Sequence, residues 1–313
     1  MKAVITTAYG PPEVLKIQEV DNPVPKDGEV LIRIKATTCH VGDTRMRAMR
    51  IPFWYKLPFR LMMGIIKPKK GKNILGMECA GDVDAVGKDV TRFKPGDAVF
   101  ALTGFGFGGY AEYRCLPTNP QPRKGEMQGI VALKPKNMPY EEAATVPGGA
   151  LTALTAMRAL NIQPGEGMLI YGASGSLGLF ALQIAKDMGA KVTGVCSTAN
   201  LELVKSMGAD EVVDYTKGNF TEIGKKYDII YDAVSLFPRS RFKRLLKEGG
   251  RLRTSHDSLI GLNNEDLEQL REMVEAGKLK TFIDKTYPLE DIVEAHRYVD
   301  TGRKRGNVVI TVS

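Results

Sequence analysis

The sequence predicts an α/β protein of two domains, a β-rich domain followed by a doubly wound parallel sheet. Three observations carry this. At 313 residues the chain exceeds the size at which one hydrophobic core usually stops growing. Between Ala3 and about Leu116, short Val/Ile-rich alternating runs are broken by Gly and Pro, whereas beyond about Leu133 helix-period and strand-period segments alternate. Residues 168–178 read Met-Leu-Ile-Tyr-Gly-Ala-Ser-Gly-Ser-Leu-Gly, a short apolar strand entering a glycine-rich turn and then a helical run at 179–186, which reads as amphipathic.

Taken in order, the runs at 29–36 and 82–87 alternate as half-buried strands, and turns at 23–28 and 94–97 punctuate them, so a mostly antiparallel sheet is expected. Residues 117–129 hold three prolines and two glycines and read as an exposed connection. A helix is expected over 141–160, then buried strands at 191–196, 211–215, 227–232 and 251–254, with helices at 200–207 and 239–246 between them. Right-handed crossovers turn such βα units into a parallel sheet. A helix at 289–299 precedes a strand at 307–312, which periodicity places equally well at an edge of the parallel sheet or back in the β domain.

The composition is that of an ordinary globular protein, 43% hydrophobic and 26% charged. No apolar stretch approaches the roughly 20 residues of a spanning helix. Met1-Lys2-Ala3-Val4-Ile5 runs straight into a strand pattern without a secretory leader, so a cytoplasmic location is expected. Cys39, Cys79, Cys115 and Cys196 are widely spaced and read as free thiols. The net charge of +8 is spread along the chain. Its one dense cluster, Lys67-Pro68-Lys69-Lys70-Gly71-Lys72, reads as a solvated loop, and no stable nucleic-acid or membrane partner is expected.

The turn after the 168–171 strand carries the chemistry. Gly172, Ala173, Ser174, Gly175, Ser176, Leu177 and Gly178 present Ala173-x-Gly175-x-x-Gly178, a G-x-G-x-x-G fingerprint whose first glycine is alanine. Such a turn aims backbone N–H groups and a helix N-terminus at one spot, which suits the pyrophosphate of a dinucleotide. At the end of the next strand, where an acid would grip the ribose of NAD, stand Cys196, Ser197 and Thr198, with no acid before Glu202. Small hydroxyls leave room for a 2′-phosphate that a carboxylate would repel, so NADP(H) is expected. Lys205 or the Arg303-Lys304-Arg305 run either supplies counter-charge or is solvated surface, and Tyr215 either faces the adenosine or packs as a strand-end aromatic.

The chain resembles the medium-chain dehydrogenases/reductases, and within them the zinc-free quinone oxidoreductase and enoyl reductase branch. The resemblance rests on residues 76–81, 90–99, 108–113, 143–147, the 172–178 turn, Gly208-Ala209-Asp210 and Asp214-Tyr215, in order along nearly the whole chain. It implies a GroES-like catalytic domain of residues 1–134 completed by 282–313, and a Rossmann NADP(H)-binding domain of 135–281. It also implies that Thr152 and Asn307 join the cofactor set, and that the protein is a homodimer.

In the zinc enzymes that it resembles, ligands lie near Cys39-His40, in a Gly-His-Glu motif at Gly76-Met77-Glu78, and near residues 147–150. Here Met77 replaces the histidine and 147–150 is Pro-Gly-Gly-Ala, so no zinc is expected. Without a Lewis acid, reduction of a quinone or an α,β-unsaturated carbonyl is the fitting chemistry, because the conjugated oxygen carries the charge. By the resemblance, residues 36–43 line the cleft. His40 stands where related quinone reductases often carry asparagine or threonine, and its titration range suits acid chemistry. Asp43 and Tyr55 complete the catalytic candidates, with an apolar lid of Phe53, Trp54, Tyr55, Leu57 and Phe59 as the other reading of that segment. An alcohol or aldehyde dehydrogenase on the same fold, and an NADPH-responsive nucleic-acid or membrane-surface binding protein, are the alternatives.

Overall fold

A computed structural model describes all residues except 52, 122–124, 223 and 258–261, and the side chains of 53–55, 125 and 126 are likewise not described. The chain divides into two compact units, Met1–Gly148 with Gly261–Arg271 and Ile283–Ser313, and Gly149–Ile260 with Glu272–Phe282. The first unit therefore takes in residues 135–148, which the sequence reading gives to the second domain.

The first unit begins with an antiparallel hairpin, β1 (Lys2–Thr6) and β2 (Leu15–Glu19). Next come β3 (Glu29–Thr38), helices α1 (Val41–Ala48) and α2 (Phe53–Met63), and strands β4 (Glu78–Val86), β5 (Ala98–Leu102) and β6 (Tyr113–Pro117). The expected loop at 117–129 contains a short helix, α3 (Gly125–Gln128), before β7 (Ile130–Leu133). The expected helix over 141–160 is two, α4 (Tyr140–Ala143) and α5 (Val146–Leu160).

The second unit carries β8 (Gly167–Tyr171), α6 (Ser176–Asp187), β9 (Lys191–Cys196), α7 (Leu201–Ser206), β10 (Glu211–Asp214) and β11 (Tyr227–Asp232). They are followed by α8 (Ser240–Lys243) and β12 (Leu246–Thr254), and then by α9 (Asn264–Glu275), which belongs to the first unit as far as Arg271. Its sheet is parallel, in the order β10-β9-β8-β11-β12, the doubly wound arrangement that the βα rhythm predicts. Two local expectations are corrected. The strand expected at 251–254 starts at Leu246 and displaces the end of the preceding helix. The 179–186 helix is not amphipathic, since Leu179 through Ala185 are all buried.

The chain then adds β13 (Ile283–Pro288), α10 (Ile292–Asp300) and β14 (Asn307–Thr311). The alternative that periodicity left open is resolved by pairing: β14 runs antiparallel to β3, with Val309 opposite Thr38. The first unit's main sheet is ordered β13-β14-β3-β4-β5-β7, with β6 also on β3. Its core is built from Val30, Ile32, Ile34, Val99, Phe107, Tyr110, Val308 and Ile310, all at most 2% exposed. Among the described residues, no helix is long and apolar enough to cross a membrane.

Candidate functional sites in the two units

In the second unit, β8 ends in the glycine-rich turn. The left-handed conformation falls on Gly172, at φ +78°, and not on Ala173, so the alanine in the fingerprint is accommodated. A Cβ on Gly172 would lie 2.2 Å from Val234 Cγ2. The Gly172 and Ala173 amides both donate to Val195 O at 3.1 Å, which fastens the turn to β9. Gly178 packs α6 directly onto this turn: a Cβ there would meet Gly172 O at 2.2 Å and Ala173 Cα at 2.8 Å. Gly175 differs, because its nearest neighbour to a built Cβ is Gly172 O at 3.6 Å.

Gly175 is the N-cap of α6, with no side-chain cap. The N–H groups of Ser176, Leu177 and Gly178 therefore stand at a helix N-terminus without acceptors inside the helix. Ser176 Oγ is buried and meets no hydrogen-bond partner among the described residues. Thr152 lies half-buried on α5. An open helix N-terminus, an orphaned hydroxyl and an uncrowded glycine fit a bound pyrophosphate.

Beyond the turn, Asn200 ties the strand end to the glycine loop, with Nδ2 donating to Ser174 Oγ and to Ser197 Oγ, each at 3.1 Å. Its Oδ1 is buried without a partner. The sequence reading missed Asn200, whose position three residues past Ser197 was the available signal. Cys196 is buried, and burial with the nearby Asp214 carboxylate pushes its thiol up to about 11. The reading also missed Asp214. It lies opposite Cys196 across β9–β10, accepts from Thr198 Oγ1, and accepts from Thr216 N at 2.9 Å and Thr216 Oγ1 at 2.6 Å. These hydroxyl hydrogen bonds hold its carboxyl below the usual range. An acid thus stands beside Thr198 although none occurs in the local sequence. Tyr215 is 45% exposed, with its ring 6.2 Å from that of Tyr171. Lys205 is engaged with Asp210 O at 2.6 Å.

In the first unit, His40, Asp43, Glu78 and Lys304 gather where β3, β4 and the segment before β14 meet. His40 is the N-cap of α1 in a capping box: its Nδ1 accepts from Gly42 N at 3.0 Å, and its own amide donates to Asp43 Oδ2 at 3.1 Å. With Nδ1 accepting, the proton of the neutral ring sits on Nε2. Burial, with the cations Lys304 and Arg45, lowers its pKa to about 4, so the ring is an uncharged donor at neutral pH. Asp43 also accepts from Gly76 N at 3.0 Å, bracing α1 against the start of β4, and burial raises it to about 7.

Glu78 is 1% exposed. It accepts from Thr38 Oγ1 and Gly148 N, and burial raises its pKa to about 7. A Cβ on Gly148 would lie 2.7 Å from Glu78 Oε2, so a larger residue there would press on the carboxylate. Lys304 donates to Gly306 O at 2.6 Å, and burial lowers its pKa against the pull of Cys39, Glu78 and Asp284. Arg305 pairs with Asp284 at 2.9 Å. Asn307 is 4% exposed at the start of β14. Of the sequence candidates, then, Lys304, Arg305 and Asn307 belong to the first unit, with Arg305 already paired. The Tyr55 side chain, like those of Phe53 and Trp54, lies outside the described residues.

Cys39, His40 and Glu78 stand in the segments where the resemblance puts zinc ligands, and Met77 occupies the place that it would give to a histidine ligand. No group of three His, Cys, Asp or Glu residues placed to hold a metal occurs among the described residues.

Comparison with known proteins gives a consistent result. Residues 26–121 match the family described as "Alcohol dehydrogenase GroES-like domain", and residues 176–255 and 251–310 match two families described as "Zinc-binding dehydrogenase". The chain is 33% identical to the quinone-oxidoreductase QR1 of Triphysaria versicolor over 99% of its own length and 98% of the relative's. It is also 33% identical to the 2-methylene-furan-3-one reductase of Solanum lycopersicum, over 99% of the chain and 79% of that protein. Among solved structures, the quinone oxidoreductase of Coxiella burnetii superposes with a TM-score of 0.82 at 25% identity, covering 100% of this chain and 99% of that one. An NAD-dependent alcohol dehydrogenase gives a TM-score of 0.80 at 28% identity, with both chains covered in full.

Proposed function

The chain belongs to the medium-chain dehydrogenase/reductase superfamily, in its quinone oxidoreductase branch, and from that premise we propose that it is an NADPH-dependent, zinc-independent reductase of quinones or α,β-unsaturated carbonyls. The observation that carries the cofactor half of this reading is the open N-terminus of α6, where uncapped N–H groups and the orphaned Ser176 hydroxyl meet beside Gly175. Gly172 to Gly178 hold the pyrophosphate, with Ser174, Ser197 and Asn200 beside them. Thr152, Cys196, Thr198 and Tyr215 complete the proposed cofactor set in the second unit. When bound, the dinucleotide supplies a hydride to an electron-poor carbon of the acceptor.

His40 then acts as a neutral hydrogen-bond donor through Nε2, available to an acceptor oxygen on which charge develops. Asp43 is a positioning residue that holds the His40 and Gly76 amides. Zinc-independence is supported by the chemistry of the donor set, since Met77 stands where the resemblance would put histidine. A homodimer in the cytoplasm belongs to the same reading. β12, an outer strand of the parallel sheet, offers an edge for a second copy.

The test is oxidation of NADPH and of NADH by metal-stripped protein against a benzoquinone, a naphthoquinone, a 2-alkenal and a simple aldehyde. Turnover of the conjugated acceptors with NADPH preferred, unaffected by a chelator, is the expected result. Turnover of the simple aldehyde alone, restored by added metal, would replace it with the alcohol dehydrogenase reading. One observation favours a second reading of the cofactor: the Asp214 carboxylate beside Thr198 opposes a 2′-phosphate. Asp214→Asn should therefore raise the NADPH:NADH ratio of kcat/KM, and an unchanged ratio removes Asp214 from the specificity site.

A further inference from the structure

Helix α2 is apolar on two opposite faces, and only one of them is used by the fold. Phe59, Met62 and Met63 turn inward onto the first unit's core. At 100° per residue, Leu57 and Leu61 fall on the other side of the helix, and they are 68% and 62% exposed. In the chain leaving α2, Ile65 and Ile66 are 61% and 87% exposed. A soluble helix ordinarily gives its outer face to polar residues, so four large aliphatic side chains left this exposed between Leu57 and Ile66 call for an occupant.

The charge around these residues indicates which occupant. From Thr44 to Met77 there is no Asp or Glu, while Lys56, Arg60, Lys67, Lys69 and Lys70 surround the apolar residues and are all exposed. Lys72 is directed elsewhere, donating to Phe105 O at 2.6 Å. The loop is held in shape by its own backbone, with Gly64 N donating to Arg60 O, Lys69 N to Met63 O and Lys72 N to Lys69 O at 2.8–2.9 Å. The Tyr9 hydroxyl adds a hydrogen bond to Gly64 O at 2.7 Å. Exposed aliphatic side chains interspersed with cations of one sign match the two layers of a membrane surface, acyl boundary and anionic headgroup. A second copy is a poor occupant, because a two-fold contact would set these lysines against their own equivalents. Nucleic acid has no use for the aliphatic side chains, which offer neither base-edge hydrogen bonds nor stacking rings.

We propose that these aliphatic residues and the lysines among them dock the protein on the surface of a bilayer containing anionic lipid. The contact proposed is a peripheral one, and among the described residues no helix is long and apolar enough to cross a membrane. The proposal involves neither the glycine-rich turn nor the His40 cluster, and it gives Leu57, a residue of the expected apolar lid, to the membrane-facing side of α2.

The test is flotation of the full chain with vesicles of phosphatidylcholine alone or mixed with phosphatidylserine. Partition into the mixed vesicles, and not into the neutral ones, is expected. Neutralising Lys67, Lys69 and Lys70 together as glutamine should lower partition about 100-fold, at roughly fivefold for each cation near the surface. Leu61→Ser with Ile66→Ser, which leaves the charge unaltered, should lower it by about tenfold or more, because two aliphatic side chains no longer enter the boundary. Both variants should keep the parent melting temperature, as the positions are exposed. No flotation with the mixed vesicles overturns the proposal by itself, without reference to any variant. So does wild-type partition of the serine variant, or binding to an RNA oligonucleotide that equals binding to the vesicles, either of which would mark a simple polyanion site.

Discussion

His296 is fully buried on α10, packs edge-on against Tyr110 at 5.6 Å between ring centroids, and neither ring nitrogen meets a hydrogen-bond partner among the described residues. Burial, with the Arg47 guanidinium nearby, lowers its pKa to about 3 from 6.5. Between those values the unfolded chain binds a proton that the folded chain refuses, so this residue makes stability fall as the pH drops through the window. His296→Phe keeps the ring and removes two unsatisfied nitrogens. It should raise unfolding free energy by about 1 kcal/mol near pH 7 and by more toward pH 4, read from denaturant midpoints across pH. At Gly175 the expectation is a binding defect in a folded protein. A Cβ there meets no close contact, and aspartate is a good N-cap, so Gly175→Asp should leave the melting temperature near the parent value. Its carboxylate would occupy and repel the pyrophosphate site, and NADPH binding followed by fluorescence should disappear. Unchanged affinity would remove the turn from the cofactor site.

Among the elements, the step from β8 into α6 was the most legible in the sequence, because strand, glycine turn and helix follow one another and each constraint is local. The glycines that close it divide by role. Gly178 is fixed by contact with the backbone of Gly172 and Ala173, so Gly178→Ala should cost about 1–3 kcal/mol in a denaturation series even without ligand. What periodicity could not show was how much of α6 is buried, since a helix covered on every side and one covered on a single face differ only in their neighbours. Asp214 was illegible for a similar reason. It reaches Thr198 through the β9–β10 register, sixteen positions away in sequence, and local reading asked only about the residues just after β9. β12 was read too short because Lys247, Glu248, Gly249 and Gly250 look like a turn, yet that outer strand tolerates exposed polar residues at its start. The outer face of α2 was visible as apolar letters, but only the packing of Phe59, Met62 and Met63 shows which face remains outside.

For the molecule as a whole, four buried groups set opposing slopes on stability against pH. Asp43 and Glu78 are raised to about 7 from 3.8 and 4.5, so the folded state holds protons that the unfolded state has lost, and stability falls as pH rises between those values. His40 and His296, lowered to about 4 and about 3, act in the opposite sense below 6.5. From roughly pH 4.5 to 6.5 the two effects offset one another. Glu78→Gln removes one falling contribution, so its melting temperature, measured relative to the parent, should climb with pH across that interval; a parallel curve would show that Glu78 is ionised throughout. The two-domain α/β class was readable from rhythm and length, and the resemblance singled out His40, Asp43 and Glu78, whereas their gathering with Lys304 was not readable, because it joins the start of α1, β4 and the segment before β14. That joining also has a bearing on synthesis. β14 is an interior strand, seated between β13 and β3, yet it leaves the ribosome only after the entire parallel sheet has been made. The nascent chain must carry Ala36–Thr38 of β3 without their β14 partner while the inserted unit folds, since β6 covers only Glu29–Arg33, and that short stretch of strand edge stays open to other chains for the longest part of translation.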